Sequence, residues 1–201
     1  MYAKCGVFAS AKQTLNELPV RNAATWSTLI GAYARQGLGK EALIVYEKMR
    51  SESLSPDAIT YACTLKACGI AGAFQEGKQI HDEVIVKGLL ENNVVLGNAL
   101  VDMYVKCGML SRAQELLDEL PTRNVVSWNI IITGYAQRGL ACKALDCYKQ
   151  MQSEGLCADA VTYSCTLKAC SIMGALDVGI EIHKKILIDE GLGKILCLGL
   201  L

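Results

Sequence analysis

Apolar residues recur along this chain with the spacing of an amphipathic helix. Positions i, i+3, i+4 and i+7 are apolar in two segments, which contain Trp26, Leu29, Ile30 and Tyr33 in the first and Trp128, Ile131, Ile132 and Tyr135 in the second. Residues at these intervals share one face of an α-helix. The pattern therefore predicts two helices with one buried face each, and it places both tryptophans in the core.

A second amphipathic run follows each of these helices after a glycine. Gly37 and Gly139 stand where a helix would end in a left-handed cap. The apolar positions of the second runs are Ala42, Leu43, Tyr46 and Met49, and Ala144, Leu145, Tyr148 and Met151. Segments 51–57 and 153–159, rich in Ser, Gly, Pro and Asp, then end these runs. Each unit is predicted to be a helix, a tight turn and a helix.

The chain repeats itself at an interval of 102 residues. The hexapeptide MYAKCG at 1–6 returns as MYVKCG at 103–108, and ITYACTLKAC at 59–68 returns as VTYSCTLKAC at 161–170. Three unequal units of 35, 36 and 31 residues fill this interval. A single helix pair cannot bury both of its faces, so repeated pairs stack on one another. We predict an all-α fold, an α-solenoid of stacked helix-turn-helix repeats.

The composition agrees with a helical body that has a large core. The 201 residues are 52% hydrophobic and include only 3 Pro. The longest apolar stretches, such as 195–198, are far shorter than the roughly 20 residues of a membrane span. The sequence therefore predicts no membrane-spanning helix.

The ten cysteines do not form a metal or disulfide pattern. Three pairs are repeat equivalents, namely Cys5 with Cys107, Cys63 with Cys165, and Cys68 with Cys170. Equivalence of this kind is typical of small apolar residues at fixed packing positions. No Cys-x-x-Cys occurs, and the other spacings suit no common zinc site. We predict free thiols and a reducing compartment.

The histidines offer little for catalysis. The tripeptide His81-Asp82-Glu83 matches H-x-E, the first half of a zinc deaminase signature, but no P-C-x-x-C follows it. His81 and His183 are repeat equivalents, which favours a structural role. No Gly-rich phosphate loop, G-x-S-x-G or H-E-x-x-H is present. We expect no enzyme activity, no cofactor and no metal site, and any deaminase activity would need a further domain.

Three stretches of sequence resemble the pentatricopeptide repeat family, and specifically its plant PLS subclass. They are VVSWNIIITGY at 125–135, the two Met-Tyr-x-Lys-Cys-Gly hexapeptides, and GKQIH at 77–81 with a weaker echo at 179–183. Tetratricopeptide repeats share the helix pair but have a 34-residue period and a W-x-x-L-G-x-x-Y consensus, which is absent here. The resemblance covers nearly the whole chain and implies a single array that forms a right-handed superhelix.

The family's unit boundaries divide the chain into seven segments. They are a partial S-type unit at 1–22, a P-type at 23–57, an L-type at 58–93, an S-type at 94–124, a P-type at 125–159, an L-type at 160–195, and a stub at 196–201. Met1 falls in mid-repeat, and Leu200 stands where Asn98 stood one interval earlier. We therefore expect a piece of a longer protein, and the resemblance implies that this piece lacks the C-terminal DYW deaminase domain.

The resemblance implies that each unit reads one base of single-stranded RNA with its fifth and last residues. These residues form the pairs Ser27 with Asp57, Ala62 with Asn93, Asn98 with Asn124, Asn129 with Asp159, and Ser164 with Ile195. By the family's code, Ser with Asp favours G, Asn with Asn favours a pyrimidine, and Asn with Asp favours U. The expected core of the RNA site is 5′-G-N-Y-U-3′, in which Ala62 contributes no side-chain hydrogen bond.

The second residue of each unit resembles the family's apolar clamps, which sandwich each base. These residues are Ala24, Ile59, Val95, Val126 and Val161. Lys66 and Lys168 are candidate phosphate contacts, and a solvated helix face explains them equally well. Because 20 basic residues balance 20 acidic ones, we expect weak RNA binding with a salt dependence set by local lysines.

The reader positions also have a purely structural interpretation. Ser27, Asn98 and Asn129 lie near helix starts, where Ser and Asn are common caps. Asp57 and Asp159 lie in turns, which favour Asp whether or not a ligand binds. Spacing alone therefore does not separate capping from base reading.

Two functional classes stay open. One is sequence-selective binding of single-stranded RNA, which by resemblance would act in a mitochondrion or chloroplast in RNA processing or C-to-U editing, with another factor supplying catalysis. The other is a helical repeat scaffold for protein–protein interaction. The fifth and last residues distinguish them, because a protein scaffold would tolerate changes there without losing its partner.

Overall fold

A computed structural model of the chain describes residues 22–91 and 93–197, and these residues form α-helices without any strand. The helices of these described ranges are α1 (Ala23–Arg35), α2 (Gly39–Ser51), α3 (Ala58–Ala71), α4 (Phe74–Val86), α5 (Val94–Lys106), α6 (Leu110–Glu119), α7 (Val125–Gln137), α8 (Ala141–Ser153), α9 (Ala160–Met173) and α10 (Leu176–Cys197). The predicted all-α class is confirmed. The predictions for Cys5, for the partial unit 1–22 up to residue 21, and for Leu200 lie outside the described residues.

The chain packs as two compact bodies that divide between Arg123 and Asn124. In the N-terminal body, the first helices of successive pairs form one layer, because α1 packs on α3 and α3 packs on α5. The second helices cover this layer: α2 contacts α1 and α3, α4 contacts α3 and α5, and α6 contacts α5. In the C-terminal body, α7 packs on α9, α8 contacts both, and α10 contacts α9. Each body shows the stacking of helix pairs that the repeat pattern predicts.

A polar side chain caps the first helix of each pair in the described part of the chain. These N-caps are Asn22, Asp57, Asn93, Asn124 and Asp159, and each accepts a hydrogen bond from the backbone N–H three residues later. An N-cap of this kind contributes about 1 kcal/mol to helix stability. The helices begin at residues 23, 58, 94, 125 and 160, where the predicted units begin. The last residue of one unit thus determines where the next unit's helix starts.

Glycine ends the first helix of both segments predicted as P-type. Gly37 and Gly139 have φ angles of 77° and 72°, which is the left-handed region that L side chains rarely occupy. The predicted left-handed caps are therefore confirmed. The second helices α2 and α8 then start at residues 39 and 141 and bury the predicted apolar faces, with Leu43 only half-buried.

The core lies between the layers of each body. Trp26 and Trp128 are almost fully buried, as their helical phase predicts. Cys68 and Cys170 are buried and Cys63 and Cys165 are half-buried, all as free thiols, in agreement with the packing role. Within the described part of the chain, no helix combines the length and the apolar character that crossing a membrane requires.

Candidate functional site

Large apolar side chains protrude from the first turn of several first helices. In the N-terminal body Ile59 and Val95 are each 66% exposed, and in the C-terminal body Val126 and Val161 are 53% and 52% exposed. Ala24 occupies the same position on α1 and is also exposed. Single exposed apolar residues are common, but recurrence at the same position of neighbouring helices makes a short row in each body. Such a row offers apolar contacts at intervals of one repeat.

Next to Val126 and Val161 in the sequence, three polar side chains form a hydrogen-bonded cluster in the C-terminal body. The Asn129 amide Nδ2 donates to Asp159 Oδ1 at 2.9 Å and to Oδ2 at 3.1 Å. The Thr162 hydroxyl donates to Asn129 Oδ1 at 2.6 Å. Asn129 is 8% exposed and Thr162 is fully buried. The structure therefore joins the predicted reader pair Asn129 and Asp159 directly.

The Asp159 carboxylate is held in its ionised form by this cluster. Partial burial acts to raise its pKa, but hydrogen bonds from the Thr162 backbone N–H and from the Asn129 and Thr162 side chains outweigh burial and lower it. The same carboxylate caps α9, because Oδ1 accepts the Thr162 N–H at 2.9 Å. Asp159 therefore both caps α9 and accepts a hydrogen bond from the amide of the predicted reader Asn129.

The pair Ser27 and Asp57 is arranged differently in the N-terminal body. Ser27 is 6% exposed, and its hydroxyl donates back to the Ala24 carbonyl oxygen at 3.1 Å. Asp57 Oδ1 accepts from the Thr60 N–H at 2.7 Å and from the Thr60 hydroxyl at 2.6 Å. No hydrogen bond joins Ser27 to Asp57 in this described region. The first segment predicted as P-type therefore has the cap without a hydrogen bond to the predicted reader Ser27.

The remaining predicted readers are spread over caps and helix interiors. Asn93 caps α5 through a hydrogen bond from the Leu96 N–H at 3.0 Å, and Asn124 caps α7 in a reciprocal capping box with Ser127. The fifth residues of the other units are half-buried or exposed, namely Ala62 and Asn98 half-buried and Ser164 exposed. Ile195 lies within α10 at a position where the structure does not describe side chains.

The interpretation of the fifth residues as helix caps is wrong. Ser27, Asn98 and Asn129 lie inside helices α1, α5 and α7, after the first turn has formed. The caps are the last residues of the preceding units, because only a residue before the first helical turn can accept from its free N–H groups. The side chains of the fifth residues are therefore not needed to start their helices.

Sequence reasoning missed Thr162. The signal was present, since a Thr three residues after an Asp or Asn cap is the partner expected in a capping box. Thr60 and Thr162 both stand at this position and both are fully buried. The contact between Thr162 and Asn129 was concealed because the two residues are 33 positions apart along the chain.

The histidine motif is part of the packing in the N-terminal body. His81 is buried, and its Nδ1 lies 2.8 Å from the Tyr104 hydroxyl; burial lowers its pKa. Glu83 accepts hydrogen bonds from Arg50 at 2.7 Å and from Tyr61 at 2.9 Å. Among the described residues, no group of three or more His, Cys, Asp or Glu side chains is placed to hold a metal ion.

The candidate phosphate contacts lie on the surface. Lys66 on α3 and Lys168 on α9 are both exposed. Their exposure suits a contact with phosphate and equally suits a solvated helix face, so the two interpretations of the sequence stay open.

Comparison with known proteins adds to this geometry. A model of the PPR repeat family matches residues 21–69 and 123–171, and a second PPR repeat model matches residues 98–125. A pentatricopeptide repeat-containing protein of Arabidopsis thaliana, named as chloroplastic, is 39% identical over 183 residues, or 91% of this chain. Another from the same plant, named as mitochondrial, is 38% identical over 94% of this chain. The chain spans only 30% of the length of each relative.

Solved structures agree on the fold. The crystal structure of PPR10 from maize gives a TM-score of 0.71 at 23% identity and covers 94% of this chain and 28% of that chain. PPR10 in complex with an 18-nt psaJ RNA element gives 0.75 at 18% identity over 90% of this chain and 28% of that chain. At these identities the likeness supports the fold alone. The matching repeat models and the Arabidopsis thaliana relatives show that this chain belongs to the pentatricopeptide repeat family.

Proposed function

We propose that this chain binds single-stranded RNA with sequence selectivity and that each repeat unit contacts one base. The observation that carries the proposal is the Asn129 cluster: Asp159 holds the Asn129 amide at 2.9 Å, and the exposed Val126 lies close to Asn129 in the sequence while the exposed Val161 lies close to Asp159. An amide offers one donor and one acceptor to the edge of a base, and apolar side chains can cover its faces. A protein scaffold has no need for this combination.

The units should differ in the base that they recognise and in how strongly they recognise it. In our proposal Asn129 with Asp159 reads U, Ser27 with Asp57 reads G, Asn98 with Asn124 reads a pyrimidine, and the L-type unit with Ala62 and Asn93 reads weakly. Ala24 is smaller than its counterparts, so its clamp is weaker. The readable core is 5′-G-N-Y-U-3′, in keeping with a PLS-type array of P, L and S units.

The likeness to proteins named as chloroplastic and mitochondrial supports an organellar location. One structural neighbour, PPR10, was crystallised in complex with an RNA element, which supports RNA as the partner. We infer a role in RNA processing or in choosing C-to-U editing sites, with catalysis supplied by another domain or protein. The balance of 20 basic and 20 acidic residues predicts modest affinity, because the chain has no net positive charge to attract the phosphates.

Fluorescence anisotropy of the purified chain with labelled RNA tests this proposal. One oligonucleotide carries G-N-Y-U in an unstructured background, and a matched one carries A-N-R-G at the same positions. We expect tighter binding to the first and a loss of that preference in Asn129→Ala. Lys184→Ala, on the exposed surface of α10, serves as the control variant and should keep the preference. Equal binding of both RNAs by the wild type would contradict coded recognition.

A groove on the N-terminal body favours the second candidate function, a scaffold for proteins. It encloses about 350 Å³ between α2 and α4 and is lined by Leu43, Ile44, Tyr46 and Ile80, among others. Ile44 is 68% exposed. If the scaffold interpretation is correct, Ile44→Asp abolishes capture of a protein partner while Asn129→Ala leaves it unchanged.

A further inference from the structure

The Thr162 hydroxyl lies between both members of the Asn129 and Asp159 pair. Its Oγ1 is 2.6 Å from Asn129 Oδ1 and 2.9 Å from Asp159 Oδ1. The Asp159 backbone N–H donates to the same oxygen at 3.1 Å. Thr162 itself is fully buried. A threonine on the following unit thus contacts the side chain that we propose reads the base.

The Thr162 hydroxyl has two acceptors within hydrogen-bond distance, Asn129 Oδ1 and Asp159 Oδ1. A hydroxyl carries a single hydrogen, and the 2.6 Å contact with Asn129 Oδ1 is the shorter of its two acceptor contacts. The Asn129 Nδ2 group faces the ionised Asp159 carboxylate, to which it donates. Rotating the amide by half a turn would place its oxygen against that carboxylate and its NH₂ against the Thr162 oxygen. The Asp159 carboxylate therefore excludes the rotated amide, and the Thr162 hydroxyl holds Oδ1, so that the plane of the amide is fixed at both ends.

We propose that Thr162 is a positioning residue that, together with Asp159, holds the plane of the Asn129 amide and thereby strengthens the preference of this unit for one pyrimidine. The inference rests on the proposed function. Uracil presents an acceptor O4 beside a donor N3–H, whereas cytosine presents a donor N4 beside an acceptor N3. A fixed amide has one N–H and one lone pair that the cluster does not use, and these match only one of the two orders. An amide that is held only through Nδ2 can swing its plane, which weakens that match.

The first P-type segment provides a matched control. Thr60 makes the same capping contacts with Asp57, at 2.7 Å from its N–H and 2.6 Å from its hydroxyl. Ser27, however, donates to the Ala24 carbonyl and not to this cluster. Replacing Thr60 therefore removes an equivalent buried hydroxyl from a helix start without releasing a reader side chain.

The experiment compares Thr162→Val, Thr162→Ser and Thr60→Val in the full chain, using RNAs with U or C at the fourth position of G-N-Y-U. Loss of a base-edge pairing typically changes discrimination by about tenfold, so we expect Thr162→Val to reduce the preference for U by at least about threefold. Thr162→Ser keeps the hydroxyl and should retain the preference, and Thr60→Val should leave it unchanged. Thr162→Ala replaces Thr162→Val if the valine variant does not fold.

A second readout does not depend on RNA. In ¹⁵N-labelled protein, the Asn129 side-chain amide should show restricted motion and slow hydrogen exchange in the wild type. Thr162→Val should increase the motion and speed the exchange, whereas Thr162→Ser should not. An unchanged preference for U, or an Asn129 amide that stays equally restricted in Thr162→Val, would overturn the positioning role. If the wild type binds neither RNA, the proposed function fails, and the amide measurement still decides the role of Thr162.

Discussion

The two segments predicted as P-type, 23–57 and 125–159, share a backbone plan and differ at the residue that faces the ligand in our proposal. Both begin after an Asn cap whose oxygen accepts from the third helical residue, and both end their first helix at a left-handed glycine. At the fifth position, Ser27 turns back to its own helix, whereas Asn129 reaches Asp159 and Thr162. The helix pair therefore forms without the fifth residue, which leaves that residue available to vary.

A second difference lies in the core of the same segments. Trp128 donates from Nε1 to Glu154 Oε2 at 2.9 Å. The equivalent indole N–H of Trp26 is buried without a hydrogen-bond partner among the described residues. A buried N–H that lacks a partner costs about 1–3 kcal/mol, so the two tryptophans should not contribute equally to stability.

The largest expected effect comes from truncating these tryptophans. Trp26→Ala or Trp128→Ala should lower the free energy of unfolding of its own body by about 3–5 kcal/mol, because each leaves a large cavity. Replacing each tryptophan with Phe removes only the indole N–H and part of the ring. Trp26→Phe removes an N–H that has no partner among the described residues, so it should lower the free energy of unfolding less than Trp128→Phe, which removes the hydrogen bond to Glu154. Urea unfolding followed by circular dichroism measures both, and equal costs for the two Phe variants would refute the distinction.

Exchanging Gly and Ala at the starts of α2 and α8 should change the free energy of unfolding by different amounts. A Cβ atom at Gly39 would lie 2.7 Å from the Ala67 carbonyl oxygen and 2.8 Å from the Ala71 nitrogen. Ala141 occupies the equivalent position in the second segment, where its methyl group is buried. We expect Gly39→Ala to cost about 1–3 kcal/mol through overpacking against backbone.

The reverse change, Ala141→Gly, should cost less, about 0.5–1 kcal/mol, since it removes only a methyl group and adds backbone freedom. Thermal unfolding of the two variants side by side tests the pair. If Gly39→Ala is neutral, the close approach of α2 to α3 is more adaptable than its geometry indicates.

Exchanging the fifth residues tests whether the difference between the segments determines recognition. Asn129→Ser should leave Asp159 capping α9 through the Thr162 N–H and should weaken binding to RNA with U at the fourth position by about tenfold, the scale of one lost base-edge pairing. Ser27→Asn should shift the first position from G towards a pyrimidine. Anisotropy titrations with single-base RNA variants measure both changes, and thermal unfolding verifies that neither variant loses its fold.

The helices, the left-handed caps and the core could be predicted because they depend on local patterns. Trp128 and Ile131 share a helical face by spacing alone, and Gly139 marks the left-handed end of a helix by residue type. The exact partners of polar side chains could not be predicted. Asn129 bonds to Thr162, 33 positions away, and that contact depends on how α7 packs on α9.

The N-caps also could not be assigned from the sequence alone. The sequence contains Asn at both the fifth and the last positions of its units, and residue type alone cannot tell which of them caps a helix. The helix starts answer this, because Asn124 precedes the first turn of α7 whereas Asn129 follows it. The exact position of a helix boundary therefore decides whether a side chain can cap the helix.

The smallest expected effect concerns the two repeat-equivalent histidines. His81 is buried near Asp82, Arg112 and Glu119, and burial lowers its pKa, whereas His183 is exposed. A lowered pKa means that the folded state favours the neutral ring. In the unfolded chain a histidine takes up a proton near pH ~6.5, so the stability of the N-terminal body should fall as the pH drops below that value.

His81→Gln should remove this part of the pH dependence, because glutamine stays neutral and can still hydrogen-bond to Tyr104, the partner of His81 at 2.8 Å. His183→Gln provides the matched control and should not alter the pH profile of the N-terminal body. Urea midpoints about one pH unit above and one below the ordinary histidine pKa provide the measurement. A wild-type profile that stays flat across this interval, or one that His81→Gln leaves unchanged, would mean that the fold accommodates the charged ring, and the contrast between the buried and the exposed histidine would then have no energetic consequence.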